Sequence, residues 1–346
     1  MKVARLYNFT DIRIEDIPIP EIGPGDALIK THACGICSGD VMPWYIEKKA
    51  PLVIGHEPSG EIVETGKDVS SFKAGDRVFT HHHAPCFTCR FCKRGDYVQC
   101  ETWKKTRIIP GGISEYILIP QTNLENDTLT LPQSLSYEDG TLIEPAACVV
   151  KALKRIGIRR GDIVLIIGLG IMGQINIILA KKYGAGKIIA ADMVQFRLQK
   201  AKKFGADNVI DVSKDNLVDA LKELTKGEMA DVVIVGPNSA DAMKQGIECA
   251  GAGGKVLFFT PAKPEEKLII DPNELYFKDI NIITSYSCGP TDTADALELI
   301  ESGTIRAEKL ITHRFPIEKT AEAFRLTAEA KDSLKSVIVF EEKYLI

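Results

Sequence analysis

From residue 161 onward the chain repeats one pattern, a short and almost wholly apolar run followed by an amphipathic stretch that ends near a glycine. The apolar runs are IVLIIG at 163–168, KIIAAD at 187–192, NVIDV at 208–212, DVVIVG at 231–236, KVLFFT at 255–260 and INIIT at 280–284. Runs of this length without polar alternation suit strands buried on both faces, the condition of a parallel sheet covered by helices. Between them, GQINIILAKKYG, QFRLQKAKKFG, DNLVDALKELTKG and SADAMKQGIECAG each read as a helix stopped by glycine. Segment 148–287 is therefore predicted to be one doubly wound sheet with helices on both faces.

The first strand runs directly into GLGIMG and then a helix, with Gly168, Gly170 and Gly173 at the spacing of a dinucleotide-binding turn. The first glycine permits the tight turn, the second lets a pyrophosphate approach the backbone, and the third lets helix and strand pack closely. Ile171 and Met172 stand between them, at the helix N-terminus that supplies N–H donors to the phosphates. Asp192 ends the next strand, 19 positions past Gly173, where a carboxylate accepts from an adenosine ribose and repels a 2′-phosphate. NAD is thus expected rather than NADP; the plain alternative for Asp192 is a helix cap or a surface carboxylate. Arg197 is placed either to flank the adenine or to lie in solvent.

The first 147 residues are rich in Val, Ile, Gly and Pro, with turn signals such as EIGPGD and SSFKAGD at short intervals, and read as mostly β. After the repeating segment come two helices, near 293–302 and 318–330, and a last strand KSVIVF at 335–340. So short a tail cannot bury a core alone and should pack back onto the β-rich part. The expected architecture is α/β: residues 1–147 plus 288–346 as a β-rich domain, interrupted by a Rossmann dinucleotide-binding domain at 148–287, with a cleft between them.

Charge and composition exclude some partners. A formal charge of -4, with lysine and glutamate interspersed, offers no basic face for nucleic acid or an anionic membrane. No stretch reaches the roughly 18 to 20 apolar residues of a membrane helix, and the N-terminus lacks the apolar centre of a signal peptide. A cytoplasmic location is expected, and nine cysteines in a chain of 346 residues then argue against a disulfide framework.

Four of those cysteines, Cys86, Cys89, Cys92 and Cys100, crowd one loop, PCFTCRFCKRGDYVQC. Its beginning matches an iron-sulfur ferredoxin, but seven residues separate Cys92 from Cys100 where that pattern has three. A closed tetrahedral zinc site suits the spacing better, and such a site holds a loop rather than reacting. Candidate ligands for a reactive metal lie in ACGICSGD, with Cys34, Cys37 and Asp40, and in IGHEPSGEI, with His56 and Glu57. Each alone has a plain reading as packing.

Together these motifs resemble the zinc-dependent medium-chain alcohol and polyol dehydrogenases, a family that includes sorbitol and threonine dehydrogenases. GICSGD resembles the family's GICGTD-type motif and GHEPSGEIVETGKDVSSFKAGDRV its GHE segment; the four-cysteine loop and GLGIMG follow in the expected order over essentially the whole chain. The resemblance implies a GroES-like fold for the β-rich domain and a catalytic zinc on Cys37 and His56. Glu144 of LIEPAACVV would supply the next ligand, directly or through water, with Glu57 as an alternate, and Asp40 would orient His56. Cys86, Cys89, Cys92 and Cys100 would hold a structural zinc. Cys34, Cys148, Cys249 and Cys288 are left as packing, and His81, His82 and His83 as structural or polar-lining residues.

The implied reaction is hydride transfer between NAD and a secondary alcohol or polyol, in a homotetramer or homodimer. Many relatives begin a proton relay with Thr or Ser two residues after the zinc cysteine and continue it three residues further on, often with histidine. Those positions here are Gly39 and Met42, and neither carries a proton. A threonine-type amino-alcohol dehydrogenase, or a nucleotide-binding zinc protein without turnover, are the alternatives.

Overall fold

The computed structural model describes residues 1–340. The chain forms two compact units: Met1–Ala147 together with the segment that returns at Cys288, and Cys148–Ser287.

In the Cys148–Ser287 unit the strands are Ile163–Ile167, Lys187–Asp192, Asn208–Asp211, Ala230–Val235, Ala250–Phe258 and Asn281–Thr284. All pair in parallel. Across the sheet the third strand comes first, then the second, first, fourth, fifth and sixth. The order reverses beside Ile163–Ile167, and a crevice for a nucleotide opens at such a switch point. Leu165, Ile189, Val233 and Val256 are fully buried under Leu221 and Met243 of the covering helices. Each such side chain contributes about 1.5–3 kcal/mol by leaving water.

The pattern reading differs from the structure in two places. The fifth strand starts at Ala250, through AGAGG, where glycines hid its beginning. A six-residue helix, Pro272–Phe277, occupies the last crossover; it buries none of its residues, so no apolar period announced it.

The other unit is built on a seven-stranded sheet. Its path runs Ile311–Pro316, Lys335–Val339, Ala27–Gly35, Glu57–Thr65, Arg77–Thr80 and Thr128–Thr130, with Tyr116–Ile119 also pairing Ala27–Gly35. A smaller sheet joins Asp11–Asp16, Lys2–Asn8 and Leu52–Val53. The tail contributes two parallel strands joined by the helix Thr320–Glu329. Its last strand runs antiparallel along Ala27–Gly35, with Val337 opposite Gly35.

Candidate active site

Gly35 and Glu57 face each other across two antiparallel strands. The turn that leaves one strand and the residue that enters the other therefore meet at one end of the sheet. Cys37, His56 and Glu57 gather there, with their ligand atoms within 4.8 Å of one another. On the far side of Ala27–Gly35, Lys335 begins its strand and its ammonium ion-pairs with Glu57, both side chains 1% exposed. The same ammonium donates to the Ile36 carbonyl at 3.0 Å. Gly35 makes this pair possible, because a Cβ there would overlap Glu57 Oε2 and come within 2.8 Å of Lys335 Cε. Lys335 was not foreseen; the only signal was a lysine opening the apolar strand KSVIVF.

His56 Nδ1 lies 3.2 Å from Asp40 Oδ2, which leaves Nε2 as the metal-facing nitrogen. Burial opposes charge on both residues, yet each favours the other's ion. Asp40 is held below the usual carboxylate range by His56, and Asp40 with Cys37 pushes His56 well above its ordinary value. Burial raises Glu57, Lys335 and His56 oppose the rise, and Glu144 adds to it. Among the described residues Glu57 Oε1 is buried without a hydrogen-bond partner, so a carboxylate oxygen remains to be satisfied beside a thiol and an imidazole. Such a mixed donor set of three suits a zinc with an open position. Gly39 N–H donates to Cys37 Sγ at 3.3 Å. The ring of His82 lies 4.8 Å from that of His56, and burial keeps its pKa well below the ordinary value.

Glu144 sits in the first turn of the helix Ile143–Ile156; a carboxylate oxygen lies within 4.8 Å of donor atoms of His81 and Cys288, and its charge also acts on Glu57 and Lys335. Cys288, expected as an apolar filler, has Sγ 3.7 Å from His81 Nε2. His81 follows the strand Arg77–Thr80 and is part of a buried polar chain, its Nδ1 lying 2.8 Å from Asp127. Cys34 is fully buried and its thiol is pushed up to about 12 by that burial, in keeping with packing.

The four cysteines of the loop converge. Sγ separations are 4.0 Å for Cys86 and Cys92, 3.5 Å for Cys89 and Cys92, and 3.6 Å for Cys86 and Cys100. Four sulfurs about 2.3 Å from one zinc stand about 3.8 Å apart, so the residues fit a tetrahedral ion. Hydrogen bonds from Thr88 bring the Cys86 thiol down to about 5, which prepares a thiolate. Trp103 and Val98 bury the cluster from beneath.

In the other unit the turn has the predicted form. Gly168 adopts a φ of 85°, in the left-handed region. Gly173 packs so closely that a Cβ would overlap the Gly168 carbonyl. Above Gly170 the nearest atoms are the Arg197 guanidinium carbon and nitrogen at 4.0 Å, an open cradle for a phosphate. Ile171 and Met172 open the helix Ile171–Lys182. Asp192 accepts from Leu169 N–H at 2.6 Å and from Val194 N–H at 2.9 Å, so it fastens the turn; its remaining lone pairs are available to a ribose. Arg197 Nη1 lies 3.8 Å from Asp192 and, among the described residues, its Nε is buried without a partner, so Arg197 is not a solvated residue.

Comparison with known proteins agrees with this geometry. The family model "Alcohol dehydrogenase GroES-like domain" matches residues 23–129, and "Zinc-binding dehydrogenase" matches 172–302. Sorbitol dehydrogenase of Bacillus subtilis (strain 168) is 31% identical over 99% of this chain and 98% of its own. L-threonine 3-dehydrogenase of Rhizobium etli (strain CIAT 652) is 32% identical over 90% of both chains. A solved zinc-binding dehydrogenase from Sinorhizobium meliloti 1021, bound to NADP, superposes with a TM-score of 0.87 at 27% identity over 98% of both chains. With a GroES-like and a nucleotide-binding domain in one chain, and relatives matched end to end, the protein belongs to the zinc-dependent medium-chain alcohol and polyol dehydrogenases, oxidoreductases of the alcohol carbon.

Proposed function

We propose that the chain is an NAD-dependent dehydrogenase of secondary alcohols or polyols, with Cys37, His56 and Glu57 holding a catalytic zinc and Cys86, Cys89, Cys92 and Cys100 a structural one. The observation that carries this reading is the convergence of a thiol, an oriented imidazole and a carboxylate with an unsatisfied oxygen. Zinc bound there supplies a Lewis acid that lowers the pKa of an alcohol, and a nicotinamide accepts the hydride. Asp40 holds the His56 ring in register. Lys335 balances Glu57 when its carboxylate is turned from the metal. Gly39 and Met42 take no part in proton release, so Glu57, raised by burial and by Glu144, is the group we assign to receive the substrate's proton.

Asp192 at the ribose position supports NAD over NADP. The exposed edge strand Asn281–Thr284, with Tyr276 79% and Phe277 77% exposed nearby, supports association with a second copy. Nine free cysteines support a thiol-reducing compartment, the cytoplasm.

The test is reduction of NAD and of NADP by zinc-loaded protein over secondary alcohols, polyols, sugar alcohols and threonine, with a chelated control. Turnover of a polyol or secondary alcohol with NAD, lost on chelation, is expected. Turnover confined to threonine would move the assignment to the amino-alcohol branch, and NADH binding with no turnover would overturn it. Light scattering after gel filtration reads the oligomer, and a monomer would remove that part.

A further inference from the structure

We propose that His82 selects the substrate: its open imidazole edge hydrogen-bonds a second hydroxyl group, next to the one that reacts, so that the site prefers a vicinal diol to a mono-alcohol. This rests on the dehydrogenase reading above and names the substrate class within it.

Strand register carries His82 to the reacting centre. Arg77–Thr80 pairs antiparallel with Glu57–Thr65, Phe79 opposite Ser59. Continuing that register three residues beyond the pair sets His82 level with His56. The two rings lie 4.8 Å apart, tilted by 44°. His56 turns Nδ1 to Asp40 at 3.2 Å, and Nε2 is its metal-facing nitrogen. His82 thus walls the space beside that imidazole.

The three consecutive histidines differ in how they are held. His81 Nδ1 lies 2.8 Å from Asp127 Oδ2, and Asn123 Nδ2 donates to the His81 carbonyl at 3.0 Å. His83 Nδ1 lies 2.9 Å from the Thr106 carbonyl oxygen, and its ring stacks on Trp103 at 4.0 Å. His82 instead packs among rings, those of His81 at 4.8 Å and His83 at 4.1 Å as well as His56. Among the described residues neither of its nitrogens has a hydrogen-bond partner; Nδ1 is sealed, whereas Nε2 is on the open part of the half-buried ring. A polar edge fixed in place and left unsatisfied forgoes hydrogen-bond energy that a ligand can return.

The chemistry of that ligand follows from the ring. A neutral imidazole presents one N–H and one lone pair, and a hydroxyl answers either, since it both donates and accepts. A cationic group is disfavoured, because the Arg107 guanidinium stands one ring away, with Nη1 2.8 Å from His83 Nδ1. Packing alone would be served by a phenyl ring, which has no nitrogen to satisfy.

The test compares propylene glycol with isopropanol, which share a secondary alcohol carbon and differ by one hydroxyl, on the zinc-loaded full chain. The parent should prefer the diol in kcat/KM. His82→Phe should lower kcat/KM for the diol about threefold to tenfold, the worth of one neutral hydrogen bond, mainly through KM and with isopropanol unchanged. His82→Gln keeps a donor and an acceptor and should restore the preference. Equal losses for both alcohols, or an unchanged preference in folded His82→Phe, would overturn the proposal. Crystals of the zinc-loaded chain at saturating propylene glycol give a reading independent of turnover, with the second hydroxyl expected about 2.7–3.2 Å from His82 Nε2. A diol that directs this hydroxyl elsewhere, or none bound at the centre, would equally refute it. Absence of turnover with either alcohol counts against the dehydrogenase reading, and the crystal complex still decides His82.

Discussion

Gly170 and Gly173 occupy one loop, yet their replacement by alanine should fail in opposite ways. At 173 a Cβ would lie 3.0 Å from the Gly168 carbonyl carbon and closer still to its oxygen. That carbonyl has no room to yield, because Gly168 N–H is tied to Ala191 O at 2.8 Å and Leu169 N–H to Asp192 at 2.6 Å. Overpacking against fixed backbone costs about 1–3 kcal/mol, and the helix gain of alanine over glycine returns up to about 1 kcal/mol. Gly173→Ala should thus lose about 2 kcal/mol, a fall of about 4–8 °C in a domain of this size. At 170 the backbone is extended, with φ of -64°, and the nearest atoms are 4.0 Å away. Gly170→Ala should therefore melt with the parent when empty. With cofactor, the methyl occupies the space of the pyrophosphate, and a cost of about 1–3 kcal/mol weakens NADH about 5- to 150-fold. NADH fluorescence titration gives the affinity, and scanning calorimetry of the transition that NADH raises gives the stability. Unchanged NADH affinity in folded Gly170→Ala would refute the phosphate path, and an unchanged melt in Gly173→Ala would refute the packing argument.

Lys335→Met strands the buried Glu57 charge, a loss of about 3–5 kcal/mol, unless Glu57 takes a proton. At pH 7, against an ordinary carboxyl of 4.5, that escape costs about 3.4 kcal/mol and caps the loss. A carboxyl with a raised folded-state pKa loses stability as pH rises, so the deficit in urea unfolding should shrink by about 1.4 kcal/mol per pH unit on going from 7 toward 5. Lys335→Met with Glu57→Gln should recover most of it, and a pH-independent deficit would refute the charge argument. Asp211 is lowered to about 2 by the Ser213 hydroxyl and Lys214. Its contribution is complete above about 4 and disappears as pH falls toward about 2. The melting gap between Asp211→Asn and the parent should close over that window, and a constant gap would refute it. Cys92→Ser should lose one zinc equivalent and open the loop 86–100 to protease while NADH binding persists; a resistant loop would show that no metal holds it.

Much of the fold was legible because its signals are local. The GLGIMG turn, the acidic end of the next strand and the strand-helix alternation each lie within a few turns of chain, where periodicity and glycine spacing report directly on backbone geometry. The four-cysteine loop is legible for the same reason, as all its ligands fall within 15 residues of one segment. The helix Pro272–Phe277 was not, because nothing in it is buried and burial is what writes a period into sequence.

The chemistry of the β-rich unit depended on pairing between distant strands. Cys37, His56 and Glu57 were each visible, and the register of Gly35 on Glu57 is what brings them to one sheet end. Lys335 reaches that end because the last strand pairs with Ala27–Gly35, a contact across some three hundred residues that no local pattern encodes. The course of the helix Ile143–Ile156 turned Glu144 toward His81 and Cys288 and gave a presumed packing cysteine a polar neighbour. By itself the sequence determined the family and the nucleotide turn and pointed to Cys37, His56 and Glu57 as candidate metal donors, since residue type and short spacing suffice for these. Which carboxylate faces which imidazole was decided only by tertiary structure, because a side chain's partner is set by strand register and helix direction rather than by its neighbours in the chain.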